Sequence, residues 1–342
     1  MKTWKRYSCV ILATFCVSQT GFSQKVGTAS MQFLQVMPCA RGTALGDAYT
    51  VWVSGAEAVF WNPSGVALTK NQELSSTYIQ WIFDARQMAL SYAISLRDWG
   101  AFGVQVQYVD YGAFEETSVD ERMFVGTEPN VVYNPGLTSR KFYPYSYVIG
   151  LSYGRSFTDK FSVGVTAKYA HESLFSDAMT TTVDGEEVKT YTNGLLFDLG
   201  LRYHTGYRTI QLAASVQNFG AQLMYAKETS PAPLLFRVGI AADLIGGNGL
   251  LLPADDNRLG LAFDLFQPND YTQQQHVGME YEYAGIVALR VGYKFNYDTE
   301  GFTAGFGIRQ EIVGVRLSLD YGYGALGTYL GNVHRISLGA GL

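Results

Sequence analysis

The stretch Cys39–Leu68 reads CARGTALGDAYTVWVSGAEAVFWNPSGVAL, and it decides how the rest of the chain is interpreted. It is rich in glycine, alanine and small polar residues, and it follows neither the two-residue period of a strand nor the 3.6-residue period of a helix. Its glycines permit tight turns, while Pro63 fixes its own φ and favours an extended conformation at Asn62. Because a long series of alternating strands follows, this compact irregular segment is predicted to be a plug around which a barrel closes.

Fourteen segments with a two-residue hydrophobic period follow the plug, and an even number is typical of single-chain barrels in bacterial outer membranes. The connections after even-numbered segments are mostly short and several after odd-numbered ones are long, which predicts short periplasmic turns and long external loops. One connection, 245–257, breaks this rule and indicates either a miscounted strand or a real periplasmic insertion. The predicted strands are 73–83, 86–96, 101–111, 145–156, 161–171, 194–203, 209–219, 234–244, 258–266, 276–283, 286–297, 302–310, 313–323 and 333–342.

Alternation alone fits a soluble two-sheet sandwich as well as a barrel, because both have one apolar and one polar face per strand. The composition favours the barrel. Only 16% of the residues are charged, whereas about a quarter are charged in a typical soluble domain. The 24 tyrosines suit the aromatic girdles at the two membrane interfaces. The net charge of −5 and the lack of a basic cluster argue against nucleic acid as a partner.

The first residues are typical of a secretory signal. Lys2, Lys5 and Arg6 precede a short apolar core, and small residues at 21 and 23 predict cleavage before Gln24. The predicted organisation is therefore a signal peptide at 1–23, an N-terminal hatch at 24–71 and a transmembrane barrel at 72–342. Cys39 is then the one cysteine of the mature chain, and we expect it to be a small buried residue rather than a reactive thiol.

The plug resembles the N-terminal motif of the PorV/PorQ family, which belongs to the wider FadL-like outer-membrane barrels. Members typically read ARxxGMGxA and then WNPAG, and this chain has Leu45 and Ser64 at two positions where Met and Ala are usual. The resemblance implies an all-β fold, a fourteen-stranded antiparallel transmembrane β-barrel with a hatch inside it. The motif residues are Arg41, Gly46, Asp47, Trp61, Asn62, Pro63, Ser64 and Gly65.

The parity of the strands places eight basic and six acidic side chains in the lumen. Charges in a narrow lumen must pair or remain hydrated, so the interpretation we favour is a salt-bridged interior that holds the hatch. A polar conduit or ligand site is the alternative, and a long apolar tunnel is disfavoured, although hatch residues 51–53 and 60 leave room for a small apolar pocket. The lumen charges are Lys168, Arg202, Arg237, Arg290, Lys294, Arg309, Arg316, Arg335, Asp198, Asp243, Asp264, Glu280, Glu282 and Asp320.

Two patterns that resemble enzyme motifs are better explained as barrel sequence. A G-x-S-x-G match at 150–154 lies inside an alternating strand, and a G-x-G-x-x-G match at 322–327 is followed by a loop and a strand rather than by the helix that each site requires. The four histidines are spaced singly, so no metal site is predicted, and they are expected near strand ends. The sequence therefore predicts neither an enzyme nor a cofactor.

The family resemblance implies a role in type IX secretion in the bacterial outer membrane. A PorV-like member would receive cargo with C-terminal sorting domains from the translocon, and a PorQ-like member would anchor the surface attachment complex. The expected partners are membrane lipids and these proteins, bound through the external loops 112–141, 172–191 and 220–233. The second hypothesis is a FadL-like transporter of small hydrophobic molecules, and the third is a passive polar pore.

Overall fold

A computed structural model describes residues 27–175, 181–183, 186–225 and 227–342, so the predicted signal peptide lies outside the described residues. Fourteen antiparallel strands form a barrel that closes where β1 pairs with β14 and β7 pairs with β8. The strands are β1 Gln72–Gln80, β2 Arg86–Ser95, β3 Ala101–Asp110, β4 Tyr145–Thr158, β5 Phe161–Ser173, β6 Tyr191–His204, β7 Gln211–Gly220, β8 Leu235–Gly246, β9 Asn257–Pro268, β10 Gln274–Tyr283, β11 Val287–Phe295, β12 Phe302–Ile312, β13 Val315–Ala325 and β14 Asn332–Gly341.

The predicted barrel is confirmed, and all of the strand bounds agree to within three residues. At two of the ends that differ, a residue with positive φ terminates the strand. Phe83 has φ 55° in a 3-10 turn beyond β1, and Val313 has φ 52° in the tight turn between β12 and β13. The 245–257 connection is an insertion and not a miscounted strand, because Leu252–Pro253 folds back to pair in parallel with the last residues of β8.

The barrel is inverted relative to a soluble protein, with its apolar side chains outside. On β13 and β14 the large apolar residues Leu317, Leu319, Ile336 and Leu338 are exposed, whereas the alternate residues of β14 at 335 and 337 are buried. This outward apolar band is what lipid covers in an outer-membrane barrel. No helix in the described part of the chain is long and apolar enough to cross a membrane.

The hatch, residues 27–71, lies inside the barrel as short helical pieces joined by turns. Its elements are the 3-10 turn Gln32–Gln35, helix α1 Ala40–Ala44, the 3-10 turn Gly55–Glu57, helix α2 Ala58–Trp61 and the 3-10 helix Pro63–Leu68. A further short helix, α3 Gly327–Leu330, lies between β13 and β14.

Glycines on the inner wall make the space that the hatch occupies. Gly154, Gly164 and Gly200 are directly paired across β4, β5 and β6. A side chain at Gly164 would place its Cβ 2.1 Å from the carbonyl of Pro63. Gly278 and Gly292 likewise pair across β10 and β11, where an added Cβ would lie 2.4 Å from Leu45 O and 2.1 Å from Gly46 N, respectively. Each row of glycines therefore forms a groove in the wall, in which the hatch backbone lies, and any side chain in the row would fill it.

The long connections lie at the end of the barrel opposite the short turns, and we refer to these as the loop end and the turn end. The connections predicted as loops contain β-hairpins of their own. Phe114–Val125 pairs with Val132–Phe142, Thr181–Val183 with Glu186–Val188, and Leu223–Tyr225 with Glu228–Ser230.

Candidate functional site

Arg41, at the start of the hatch motif, forms a bidentate ion pair with the barrel wall. Its Nε and Nη2 donate to the carboxylate of Glu280 at 2.9 and 2.7 Å. Glu280 is fully buried on β10 and also accepts from Arg258 and, at 2.6 Å, from Arg290 Nε. Such fork-to-fork pairs fix orientation as well as adding energy, so Arg41 holds α1 in one position.

Asp47 forms a second ion pair with the wall, in which the hatch supplies the carboxylate and the wall supplies the cation. Gly46 and Asp47 both have left-handed φ, 63° and 62°, in the turn that follows α1. This turn brings the Asp47 carboxylate to the ammonium of Lys294, which also pairs with Glu300. Although burial alone would raise it, the charge of Lys294 lowers the pKa of Asp47 from 3.8 to about 2.

The second half of the motif packs at the centre of the barrel. Trp61 is fully buried, with the edge of its ring against Tyr49 and the guanidinium of Arg237 5.0 Å from its centroid. Asn62 caps the following 3-10 helix, because its Oδ1 accepts from Ser64 N at 3.1 Å and from Ser64 Oγ at 2.7 Å. Its Nδ2 donates to Thr50 O, at 3.1 Å, and to Leu201 O on the wall.

Pro63 and Gly65 lie where the backbone of the hatch closely approaches the wall or another part of the hatch. Pro63 begins the 3-10 helix and lies against Gly164 and Gly200 of the wall. A Cβ at Gly65 would lie 2.4 Å from Val53 O, within the hatch itself. The motif is therefore a set of contacts that fold the hatch and fix it in the lumen.

The lumen charges lie on the inner face, as parity predicts, but they differ in exposure. Asp243, Glu282 and Arg309 are half-buried near the turn end, and Arg316 is exposed to a cavity there. Besides the ion pairs of Glu280 and Lys294, the wall contains Lys168–Asp198 at 2.8 Å, Arg290–Asp320 at 2.6 Å, Arg309–Glu282 at 2.7 Å, Arg258–Asp243 at 2.8 Å and Arg258–Glu282 at 3.4 Å.

Four of the predicted lumen charges are buried and lack an ion pair among the described residues. Arg202 donates to Val53 O at 3.2 Å and to Gln211 at 2.6 Å, while Arg237 lies over the rings of Trp61 and Phe266. Asp264 accepts from the backbone N–H of Thr50 at 3.0 Å. The fourth, Arg335, lies 5.3 Å from the ring of Trp81, and its Nε has no partner within the described structure. The lumen is therefore only partly salt-bridged.

A cavity of about 710 Å³ opens at the turn end, between the hatch and β12, β13, β14 and β1. We call it the vestibule. Its lining includes Glu57, whose carboxylate accepts from Cys39 Sγ at 3.0 Å and from Tyr49 Oη at 3.2 Å. Burial raises the pKa of Glu57 and of the Cys39 thiol. Cys39 is therefore the buried residue that the sequence predicts, although it takes part in a hydrogen-bond network.

An extensive apolar surface on the loop half of the inner wall lies beneath the external loops. We call it the apolar cluster. Phe33 and Leu34, in the first turn of the hatch, fill it and shield it from water together with Met31. Its wall residues are at the loop ends of neighbouring strands: Val109 on β3, Val148 on β4, Ala170 on β5 and Leu196 on β6, with Leu223 and Ala232 from the loop above.

Sequence reasoning missed several of these features. The sequence shows the glycines of the inner wall, but it does not show that they pair across neighbouring strands, because pairing depends on the strand register. The predicted apolar pocket at Val51, Trp52, Val53 and Phe60 is instead packed against wall residues such as Ala213 and Phe266. His276 was expected near a strand end as an interfacial residue, but it is fully buried and bonded to Tyr297 at 2.8 Å. Among the described residues, no group of three or more His, Cys, Asp or Glu side chains is arranged to hold a metal ion.

Neither family models nor curated proteins match this chain. Solved structures do match. The toluene transporter TodX of Pseudomonas putida is 13% identical, with a TM-score of 0.54, and the match covers 87% of this chain and 95% of TodX. The toluene transporter TbuX of Ralstonia pickettii is 14% identical, with a TM-score of 0.53 over 88% of this chain and 96% of TbuX. The monoaromatic hydrocarbon channel CymD is 13% identical, with a TM-score of 0.51 over 89% of this chain and 96% of CymD.

At these identities the similarity establishes the fold. The chain is an outer-membrane β-barrel of fourteen strands, and its neighbours are transporters and channels rather than enzymes. The PorV/PorQ resemblance rests on the hatch motif alone, because none of these matches concerns a type IX secretion protein.

Proposed function

We propose that this protein transports small hydrophobic molecules across the outer membrane. The observation that carries this proposal is the apolar cluster beneath the external loops. The buried Glu172 beside it accepts hydrogen bonds from Tyr225 and Ser146. The structural neighbours are named as toluene and monoaromatic hydrocarbon transporters, and their likeness in fold supports the same class of cargo.

The apolar cluster is occupied by the chain's own N-terminal segment, which polar contacts hold at several points. Gln32 Nε2 donates to Asp270 Oδ2 at 2.8 Å, and Val36 O accepts from Gln87 Nε2 at 3.1 Å. Ser30 N donates to Pro231 O at 3.0 Å, and Ser30 Oγ contacts Ser230 Oγ at 2.8 Å. Phe33 and Leu34 supply the apolar contacts. Withdrawal of this segment would leave an apolar chamber open to the external loops, so residues 28–36 act as the gate in this proposal.

Accumulation of radiolabelled toluene by intact Gram-negative cells tests this function, because the lipopolysaccharide leaflet slows apolar solutes. We expect cells that express the chain to accumulate toluene faster than cells with an empty vector. Val148→Ser, which makes the cluster polar, should lower the rate, whereas Ile149→Ser, on the lipid face of the same strand, should not. Equal rates in wild-type and empty-vector cells would refute the proposal.

A second candidate function is the type IX role that the hatch motif implies. Its structural support is the long external hairpin Phe114–Val125 and Val132–Phe142, which exposes Phe124, Val132 and Tyr133 to solvent. Aromatic residues of this kind are enriched in protein interfaces. Co-purification in mild detergent with a giant translocon barrel, or with proteins sharing a C-terminal sorting domain, would support it. Recovery of the barrel alone with bound lipid or fatty acid would rule against it.

A further inference from the structure

Two cavities lie on one wall of the barrel, at opposite ends of β12, β13 and β14. The vestibule reaches this wall from the turn end, where Arg316, Asp320 and Gly339 line it. A small recess of about 10 Å³ reaches the same wall from the loop end and is lined by Thr43 and Arg335. That volume is about what a single water molecule needs.

Helix α1 lies between the two cavities, since Arg41 lines the vestibule and Thr43 lines the recess. The buried Arg290–Asp320 ion pair covers the wall beside it at Gly307. Helix α1 has five residues, so its length is about 7.5 Å at 1.5 Å per residue. It lies against glycines on the wall: an added Cβ would be 2.6 Å from Ala40 O at Gly322, and 2.5 Å from Ala44 Cβ at Gly305. Its two ends are held by hydrogen bonds from Ala40 N to Ser337 Oγ, at 2.9 Å, and from Thr303 Oγ1 to Ala44 O, at 3.2 Å.

The recess contains polar groups that have no partner. Arg335 is 5% exposed, its Nε is unpaired, and Thr43 Oγ1 is also without a hydrogen bond among the described residues. An unpaired buried charge is costly unless water or a counter-ion reaches it. Lys294, the other cation of the recess, is already compensated by Asp47 and Glu300.

We propose that the inner face of β12–β14 is a route for water and small inorganic anions, closed here by α1 and made anion-selective by Arg335. Beneath α1 the wall supplies bare backbone at Gly305 and Gly322, and hydroxyl groups at Thr303 and Ser337. Arg335 provides a positive charge in the recess that has no salt bridge among the described residues, although Asp47 and Glu300 lie near enough to interact with it. Opening requires that α1 and the following turn, which lies in the β10–β11 groove, leave the wall. The 3-10 helix Pro63–Leu68 remains on the groove of β4–β6.

This route is separate from the apolar cluster, which lies on β3–β6. The polar conductance and the uptake of hydrophobic molecules can therefore fail or succeed independently.

Conductance of the refolded full chain in planar bilayers, in potassium chloride, tests the proposal. The double variant Arg41→Ala, Asp47→Ala removes both ion pairs that hold the ends of α1, and we expect its conductance to rise several-fold over wild type. Under a salt gradient its reversal potential should show a preference for chloride. Adding Arg335→Glu should change the sign of the reversal potential, whereas Arg335→Lys, which keeps the charge, should not.

Folding of each variant is checked by its heat-dependent mobility in gels. If the double variant does not fold, Asp47→Asn alone removes one ion pair at constant volume, and we expect a smaller rise with the same anion preference. A folded opened variant that conducts no more than wild type would overturn the proposal. So would an opened barrel whose ion preference is unchanged by Arg335→Glu.

Discussion

Gly164→Ala should destabilise the protein although it adds only one methyl group. The new Cβ would lie 2.1 Å from the carbonyl carbon and oxygen of Pro63, more than an ångström closer than ordinary contact. Pro63 cannot retreat easily, because the 3-10 helix that it begins lies against Gly154 and Gly200 as well. Overpacking of this kind costs about 1–3 kcal/mol. A cost near 2 kcal/mol is about a thirtyfold change in the folding equilibrium constant.

Gly324→Ala is the matched control, because Gly324 is also an inward-facing strand glycine. Its added Cβ would find nothing nearer than Thr43 Cγ2 at 3.8 Å. Urea unfolding of the protein refolded into lipid vesicles, followed by tryptophan fluorescence, measures both variants. We expect a lower midpoint for Gly164→Ala and an unchanged one for Gly324→Ala. Equal midpoints would show that the glycine row does not hold the hatch.

Three further predictions concern the charges and the thiol of the hatch. Glu280→Gln should cost about 3–5 kcal/mol, because it leaves the buried Arg290 and the partly buried Arg41 without this carboxylate; the same unfolding assay measures this, and an unchanged midpoint would contradict it. The Asp47–Lys294 pair stabilises the folded state above the ordinary aspartate pKa of 3.8, and this contribution should be lost as the pH falls towards 2; Asp47→Asn should abolish that part of the acid dependence, and a wild-type profile in the variant would refute the assignment. Cys39 is fully buried with a raised pKa, so maleimide should label it only after unfolding, and rapid labelling of the folded protein would contradict its placement.

The barrel could be predicted because its determinants are local. A strand in a lipid-facing wall alternates apolar and polar residues. The eleven residues of β13 are therefore enough to predict both that the segment is a strand and which side chains face the lumen. The short turns and long loops follow from the same pattern. The differences at Phe83 and Val313 arose where an apolar residue occupies a turn with positive φ, which the hydrophobic period cannot detect.

The site could be predicted only as a set of residues. Strand parity placed Glu280 and Arg290 inside the lumen, but it could not show that both meet Arg41, which is 239 residues from Glu280. The grooves depend on register, because Gly154, Gly164 and Gly200 become a row only when three strands are aligned. The apolar cluster depends on where the N-terminal segment folds back, and residues 27–36 carry no period that would indicate it.

The most direct test of the proposed transport is a reversible lock on the N-terminal segment. Ser30 Oγ and Ser230 Oγ are 2.8 Å apart, so cysteines at both positions are close enough for a disulfide of about 2.05 Å. The variant Ser30→Cys, Ser230→Cys, with Cys39→Ser to remove the native thiol, would fix the segment in the apolar cluster. Toluene accumulation by cells should fall to the empty-vector rate when the pair is oxidised and recover on reduction. Rapid accumulation through the oxidised, locked barrel would contradict the account.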